Sequence, residues 1–267
     1  MFVKLLKIIS FFGLVIILYF LLSEIFVNVL KLKSDFVYAP VIVSQFSTST
    51  LEIENEVFTN VTSTEKKIDN GEMLVDYPQE IALPEQINQI VPFSSQAPEK
   101  NWDQPWQDAC EEVSLIMLDA YYNNYDLNIK FVKEKIIEMV NWEQQQGWGG
   151  SIVSTKVKEL AENFFDYKLK IVYEPTKEQL QQFLVDGKLL VALLDGKSLE
   201  NPNFNNGGPV YHALIIKGYN EKGFITNDPG TKNGANFLYS FDNLLASMHD
   251  WNDGDVPNGQ SLVLVLE

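Results

Sequence analysis

An apolar run near the N-terminus sets the first limit on how this chain can be arranged. Residues 8–30 read IISFFGLVIILYFLLSEIFVNVL, and Glu24 is their single charge. A helix of this length spans a hydrocarbon core of about 30 Å. The run is apolar on every side rather than along one stripe, and no small residues of a cleavage site end it. We therefore expect an uncleaved membrane anchor over residues 1–33, with a signal peptide or a buried helix of a soluble domain as alternatives.

The charge of the chain argues against nucleic acid as a partner. Its 20 basic residues stand against 36 acidic ones, the formal net charge is −16, and every basic residue is Lys. Such a surface repels a phosphate backbone. Two lysines precede the apolar run and two follow it, so the positive-inside count is nearly tied, and the acidic remainder favours export. We expect a single-pass protein with its main domain outside the cytoplasm, secreted if the apolar run is cleaved.

The rest of the chain divides into a polar spacer and one domain. Residues 34–87 are rich in Ser, Thr, Glu and Asn and show no sustained helical period, which is typical of an extended tether. In residues 88–267, helical patterns come before strand patterns, which predicts an α+β domain with an antiparallel sheet. The predicted helices span residues 110–123, 128–145 and 176–186, with another starting at Ser154, and the predicted strands span residues 168–173, 189–194, 211–218, 223–227 and 261–266.

Cys110 is the single cysteine of the chain, so an intramolecular disulfide is impossible. One Cys and two His cannot form a thiolate-rich zinc site, and we expect no metal or cofactor. Cys110 falls in the first turn of a predicted helix, with Asp108 as its N-cap, where the helix dipole favours thiolate over thiol. The neighbouring Glu111 and Glu112 oppose that ionisation. Cys110 is thus a candidate nucleophile, and a small buried apolar residue is the ordinary alternative.

His212 and Asp228 are predicted to face each other across a hairpin. If the loop spans residues 218–222, Lys217 stands opposite Gly223, and counting outward places His212 opposite Asp228. Directly opposed residues share one face of a sheet with Cβ atoms about 5 Å apart, so the carboxylate can accept the imidazole N–H. A core histidine and a common NDPG turn would explain each residue separately. A nucleophile, a base and an orienting carboxylate are together the three parts of an acyl-transfer site.

An acyl-transfer site also needs a hydrogen-bond donor for the oxyanion, and three glutamines precede the cysteine. These are Gln96, Gln104 and Gln107, and their chemistry alone does not choose among them. The Asn- and Gly-rich residues 201–209 and Trp148 are candidates for the rim of a substrate cleft.

The chain resembles the C-39-like cysteine peptidases, relatives of the bacteriocin-leader (double-glycine) peptidases in the papain-like group, in the runs VPFSSQAPEKNWDQPWQDACEEVSLIM and YHALIIKGYNEKGFITNDPG. The resemblance covers residues 88–267. It implies a papain-like fold, in which a helix carrying Cys110 packs on an antiparallel sheet carrying His212 and Asp228. It also implies that Gln104, six residues before the cysteine, is the oxyanion donor.

The function implied by the resemblance is that of a membrane-anchored, extracytoplasmic cysteine peptidase. Such an enzyme hydrolyses peptides or proteins through a Cys-His-Asp triad and a thioester intermediate. Many members of the family have Gly directly after the cysteine, whereas Glu111 and Glu112 follow it here. Two alternatives stay open. One is a catalytically inactive binding module in which these glutamates form an acidic recognition patch. The other is a cell-wall peptide amidase, although the Asp-Cys-Ser opening typical of those enzymes is missing.

Overall fold

The computed structural model of the protein describes residues 82–267. The predicted anchor, residues 1–33, and nearly all of the predicted spacer lie outside the described residues, so both stay predictions. Among the described helices, none is both long enough and apolar enough to cross a bilayer.

Seven strands and five α-helices form the described part of the chain. Three of the helices come first, and most of the strands follow them. The helices are α1 (Cys110–Tyr122), α2 (Ile129–Gln145), α3 (Ser154–Phe165), α4 (Lys177–Val185) and α5 (Phe241–Ser247), and the strands are β1 (Ile87–Asn88), β2 (Leu169–Tyr173), β3 (Leu190–Asp195), β4 (Tyr211–Asn220), β5 (Gly223–Asn227), β6 (Ala235–Tyr239) and β7 (Leu262–Leu266).

The strands belong to one sheet, and every pair in it is antiparallel. The order is β2-β7-β3-β4-β5-β6, and β1 also pairs with β4. β3 and β4 lie in the middle of the sheet, where Leu194 stands opposite His212. Because both faces of β3 are covered, its sequence is a continuous apolar run rather than an alternation. The predicted α+β class with an antiparallel sheet is confirmed.

A helical layer covers each face of the sheet. Val191 and Leu193 of β3 pack into the core formed with α1, α2 and α3. Ala192 and Leu194 of the same strand pack into the core formed with α4 and α5. Successive strand residues point to opposite faces, so a single strand serves both cores. The sheet is therefore the middle layer of the domain.

Helix α1 is enclosed on nearly all sides. Ten of its 13 residues are buried, and it packs against β4 and against α2. A helix that is apolar on all sides packs in the interior of a domain, so its first turn is buried as well. Cys110, Glu111 and Glu112 are consequently buried along with the apolar residues that follow them.

Most predicted helix boundaries agree closely with the structure. Asn128 caps α2 by accepting a backbone N–H, and Thr176 closes a capping box at the start of α4. The predicted N-cap of α1 is wrong. Ala109 takes that position without a side-chain cap, because Asp108 ends a short 3-10 turn, Trp106–Asp108, that leads into the helix.

The hairpin formed by β4 and β5 is tighter than predicted. Asn220 stands opposite Gly223, so the turn contains two residues, and the ladder shifts register farther along. The Asn220 side chain closes this turn by accepting a backbone N–H at 2.8 Å. The predicted pairing of Lys217 with Gly223 is therefore wrong. Asp228 follows the end of β5 and does not stand opposite His212 in the ladder.

Candidate active site

Cys110 lies where the first turn of α1 meets strand β4. The residue is 4% exposed, and its Sγ donates to Oε2 of Glu111 at 3.0 Å. The backbone amide of Ala213 in β4 lies beside the sulfur. The fold thus brings the thiol next to the strand that carries His212, although the hydrogen bond of the thiol goes to Glu111.

The surroundings of the thiol favour its neutral form. Burial, then the negative charge of Glu111 and the hydrogen bond to it, raise the pKa of Cys110 well above its usual value. The charge of Glu112 acts in the same direction, and the Ala213 amide opposes it. The helix dipole favours the thiolate, but burial and the two carboxyl groups, whose opposition the sequence already indicated, outweigh it.

His212 and Asp228 form a buried pair. Nε2 of His212 lies 2.7 Å from Oδ1 of Asp228, and the two side chains are 1% and 0% exposed. The ring of Phe204 meets the imidazole edge-on, with centroids 5.3 Å apart. No protein group of the described residues hydrogen-bonds to Nδ1. The predicted contact therefore exists, but it is made from the turn after β5 rather than across the strand ladder.

Four donors stabilise the Asp228 carboxylate. Oδ1 accepts from His212 and from the Gly230 N–H at 2.9 Å. Oδ2 accepts from the Tyr239 hydroxyl at 2.5 Å and from the Asn201 amide at 3.1 Å. Burial alone would raise the pKa of Asp228, but the charge of His212 and the hydrogen bonds outweigh it and hold the pKa below its usual value. Asp228 stays ionised and can hold the imidazole in one tautomer.

Cys110 and His212 line one open cleft of about 830 Å³. Asp228 does not line it. The cleft wall includes most of the Asn- and Gly-rich stretch 203–209, where we predicted a rim, whereas Trp148 lines a separate hollow. Aromatic and amide side chains supply much of the remaining wall, among them Trp102, Phe204, Tyr211, Trp251, Asn203 and Asn233.

Gln104 does not reach this cleft. Its side chain is exposed, its Nε2 donates to Oδ2 of Asp108 at 2.6 Å, and it lines the hollow that contains Trp148. The short 3-10 turn between Gln104 and Cys110 places the two side chains in different hollows. This position does not support the oxyanion role that the resemblance implies for Gln104.

Gln96 lies in the cleft instead. The residue is 3% exposed, and its backbone N–H donates to the carbonyl of Pro229, next to Asp228, at 3.0 Å. Its Nε2 donates to the carbonyls of Trp106 at 3.0 Å and Gln107 at 2.8 Å. Its Oε1 is buried and has no partner among the described residues. Of the three glutamines that the sequence left open, Gln96 is the one that is both buried and part of the cleft.

Comparison with known proteins identifies the family of this chain. The model of the Peptidase_C39 like family matches residues 88–253, which is more than half of the chain. The chain belongs to this family. Eight chains of solved structures match as well. One is the crystal structure of a candidate C39-like peptidase from Bacillus anthracis, with 14% identity over 69% of this chain and 98% of that chain and a TM-score of 0.45. No curated protein matches.

The two glutamates that follow the cysteine of this C39-like domain are buried. Glu111 and Glu112 are 1% and 3% exposed. Oε1 of Glu111 accepts the Ile152 N–H at 3.2 Å, while Oε2 faces the thiol. Burial raises the pKa of Glu111 to about 7, although the hydrogen bond from Cys110 opposes this rise. Side chains buried to this extent cannot form the acidic recognition patch that we considered for an inactive binding module.

Glu112 lies beside Glu143 of helix α2. Burial raises the pKa of Glu112 well above its usual value and raises the pKa of Glu143 to about 8. Repulsion between neighbouring carboxylates acts in the same direction, because the charge of Glu143 raises the pKa of Glu112 and the charge of Glu111 raises the pKa of Glu143. Across residues 82–267, no three His, Cys, Asp or Glu side chains are grouped so that they could hold a metal ion.

Sequence reasoning missed several residues that support the His212–Asp228 pair. Asn201 and Tyr239 are 27 and 11 residues away from Asp228 in the chain, so no local pattern connects them with it. Gly230 could have been identified from the sequence, because a glycine in NDPG is typical of a position where the backbone passes close to another group. A Cβ at Gly230 would lie 2.8 Å from Cε1 of His212.

The Gly230→Ala substitution should disturb the His212–Asp228 pair. The added Cβ would meet Cε1 of His212 at 2.8 Å and Cε1 of Phe204 at 2.9 Å. Such overpacking costs about 1–3 kcal/mol of unfolding free energy. Urea unfolding measures this loss, and proton NMR should show loss of the protected ring N–H signal of His212. Gly149→Ala is the control, because no heavy atom lies within 4 Å of a Cβ there. Wild-type stability and an unchanged ring signal in Gly230→Ala would contradict this expectation.

The Glu143→Gln substitution should flatten the dependence of stability on pH. A carboxyl group whose pKa is raised in the folded state stabilises the fold below its unfolded pKa, and this stability is lost as pH rises through the folded pKa. The unfolding free energy of the wild type should therefore fall between about pH 5 and pH 8, and Glu143→Gln should show a smaller fall. Urea unfolding at several pH values measures both slopes. Glu138→Gln is the control, because Glu138 lies in the same helix but is exposed, and its slope should match that of the wild type. Equal slopes in the wild type and Glu143→Gln would refute the prediction.

Proposed function

We propose that this protein is a cysteine peptidase with Cys110 as nucleophile, His212 as general acid and base, and Asp228 as the group that orients the imidazole. The observation that carries the proposal is the buried His212–Asp228 pair at 2.7 Å, whose imidazole lines the same cleft as the single thiol of the chain. Membership of the Peptidase_C39 like family supports it.

The proposed reaction begins when the Cys110 thiol gives its proton to Nδ1 of His212. The thiolate attacks the peptide carbonyl carbon, a C–S bond forms, and an electron pair moves to the carbonyl oxygen. This intermediate collapses, the C–N bond breaks, and the imidazolium gives its proton to the leaving amine. Water then gives a proton to the imidazole as its oxygen bonds to the thioester carbon, the C–S bond breaks to release the acid product, and the thiolate recovers a proton from the ring. Asp228 keeps the ring in the required tautomer throughout.

For the oxyanion we propose the side-chain amide of Gln96 together with the backbone N–H of Cys110. Gln96 is buried in the cleft and lies next to the turn that carries Asp228. One of its N–H bonds to the carbonyls of Trp106 and Gln107 would be exchanged for a bond to the substrate oxygen. Donors placed in this way act on charge that develops only in the transition state.

The proposal places the peptidase domain outside the cytoplasm, attached to the membrane by residues 1–33 and separated from it by the spacer. The length of the apolar run, in which Glu24 is the single charge, and the acidic character of the chain support this arrangement. The substrates are peptides or proteins that present an extended segment, because the cleft is open and its walls carry aromatic and amide groups that suit a peptide backbone.

A catalytically inactive binding module is the second candidate, and one observation favours it. Burial and Glu111 raise the pKa of Cys110, and a neutral thiol bonded to a carboxylate is a poor nucleophile. Alkylation rates separate the two candidates. A thiol that can give its proton to His212 reacts below the ordinary thiol pKa of about 8.5, whereas an inert structural thiol reacts only near that value or above it.

Cys110→Ala should abolish peptide cleavage, because the variant has no nucleophile. The measurement is mass spectrometry of the products released from an unstructured protein by the full chain at pH 6. His212→Ala should also be inactive. His249→Ala is the matched control, since His249 hydrogen-bonds to backbone carbonyls and does not line the cleft. Cleavage that persists in Cys110→Ala would refute the proposed nucleophile.

Gln96→Ala should lower kcat by about 100- to 1,000-fold, which is the usual cost of losing one oxyanion donor. Gln104→Ala should stay close to the wild type, because Gln104 is exposed and lines another hollow. Steady-state kinetics on one peptide measures both variants, and thermal unfolding checks that each is folded. A larger loss in Gln104→Ala than in Gln96→Ala would return the oxyanion role to Gln104.

A further inference from the structure

Two buried groups compete for the proton of the Cys110 thiol. Oε2 of Glu111 accepts that proton at 3.0 Å. The proposed reaction needs it on His212, which lines the same cleft. An ionised Glu111 accepts the hydrogen bond of the thiol, which keeps the proton on the sulfur. It also places a negative charge beside the sulfur. A second negative charge on the sulfur is then strongly disfavoured.

A protonated Glu111 has the opposite effect on the sulfur. Its O–H can donate to a thiolate across the same 3.0 Å contact, and a hydrogen bond to an ionised acceptor is a strong one. The side chain is fixed for this role, because Oε1 accepts the Ile152 N–H and the residue is 1% exposed. Burial raises the pKa of Glu111 to about 7, so this proton is gained and lost near neutral pH.

We propose that Glu111 is a positioning residue that makes Cys110 available as a nucleophile only while the Glu111 carboxyl carries a proton. The proposal rests on the proposed function and adds the regulation of that same site. In the resting state the thiol donates to the Glu111 carboxylate. Glu111 then takes one proton from solvent, and the thiol proton moves to Nδ1 of His212. The product is a thiolate bonded to the Glu111 acid, beside an imidazolium paired with Asp228.

Burial favours the protonated form of Glu111, whereas its hydrogen bonds with Cys110 and the Ile152 N–H favour the ionised form. Glu143 is near enough for its charge and that of Glu111 to repel each other, and Tyr211 stays neutral because burial raises its pKa well above the usual value. His212 favours the ionised form of Glu111. The titratable groups that face this site are Cys110 and Glu112 in α1, Glu143 in α2, Lys156 in α3, Tyr211 and His212 in β4, and Asp250 after α5.

The single cysteine allows a direct test, because every alkylation of a thiol in the full chain reports Cys110. The rate of reaction with iodoacetamide is measured from pH 5 to pH 9. For a group with a pKa near 7, the protonated fraction falls about tenfold between pH 6 and pH 8, and the wild-type rate should fall by the same factor. Glu111→Gln places a neutral donor beside the sulfur, so its rate should not fall and should exceed the wild-type rate at pH 8 by about tenfold.

Glu112→Gln is the matched control. Glu112 is adjacent and equally buried, but its carboxyl group bonds to Glu143 rather than to the sulfur. The fall in rate between pH 6 and pH 8 should persist in this variant. The same pH profile in wild type and Glu111→Gln would overturn the proposal, as would a wild-type rate that only rises with pH.

A second measurement needs no variant and serves if Glu111→Gln does not fold. The infrared S–H band of the wild type comes from one thiol. It should strengthen between pH 6 and pH 8, because the proton returns to the sulfur as Glu111 ionises. An ordinary thiol shows the reverse, and a band that weakens with rising pH would refute the proposal. Peptide cleavage by the wild type and its loss in Cys110→Ala test the peptidase function separately. A wild type that cleaves peptides while its alkylation rate only rises with pH would overturn this inference and leave the peptidase function standing.

Discussion

The buried Asp228 carboxylate is the group on which the arrangement of the site depends. An ionised carboxylate inside a protein must be paired and hydrogen-bonded, and breaking such a pair costs about 3–5 kcal/mol. Asp228 obtains its donors from four separate places: His212 in β4, Gly230 in the turn after β5, Tyr239 in β6 and Asn201 in the loop before β4. Satisfying one charge therefore fixes the imidazole and also the loop that forms one wall of the cleft.

The enclosed helix α1 imposes the second constraint. A helix buried on nearly all sides takes its first turn into the interior, so the cysteine and both glutamates lose their contact with water. Each of these groups must then find a partner inside. Glu111 pairs with Cys110 and with the Ile152 N–H, and Glu112 pairs with Glu143. The same packing that brings the thiol to β4 thus places a carboxyl group against it.

The sequence could predict what depends on local pattern. The helix that begins at Cys110 follows from a dense apolar run, and the contact of His212 with Asp228 follows from two strand patterns joined by a short turn. The register of that hairpin could not be predicted, because the Asn220 side chain closes a shorter turn than the glycines suggest. The His212–Asp228 contact forms despite the different register, because the turn after β5 brings Asp228 to the imidazole ring.

The state of the thiol and the choice between Gln96 and Gln104 depend on tertiary packing. The resemblance implies Gln104, but a short 3-10 turn separates it from the cleft, whereas Gln96 is held there by the turn next to Asp228. From the sequence, Glu111 and Glu112 oppose ionisation of the thiol, and the field of the helix dipole favours it. That field is weaker than the combined effect of burial and Glu111, and neither burial nor its extent can be read from a single helix start.

Three buried pairs of titratable groups lie around the first turn of α1. They are Cys110 with Glu111, Glu112 with Glu143, and His212 with Asp228. Each pair contains at least one group that can carry a negative charge, and the chain has no Arg that could neutralise it. Lys156 is the cation beside Glu143.

Proton uptake by the buried carboxyl groups then reduces the repulsion among these pairs. It changes both the stability of the fold and the reactivity of the Cys110 thiol. Uptake at Glu143 changes the cost of burial and acts on the sulfur only indirectly, through the repulsion between Glu143 and Glu111. Uptake at Glu111 changes both, since its carboxyl group touches Sγ directly. A cysteine followed by two glutamates is therefore compatible with catalysis, provided that the first glutamate is neutral when the thiol proton moves to His212.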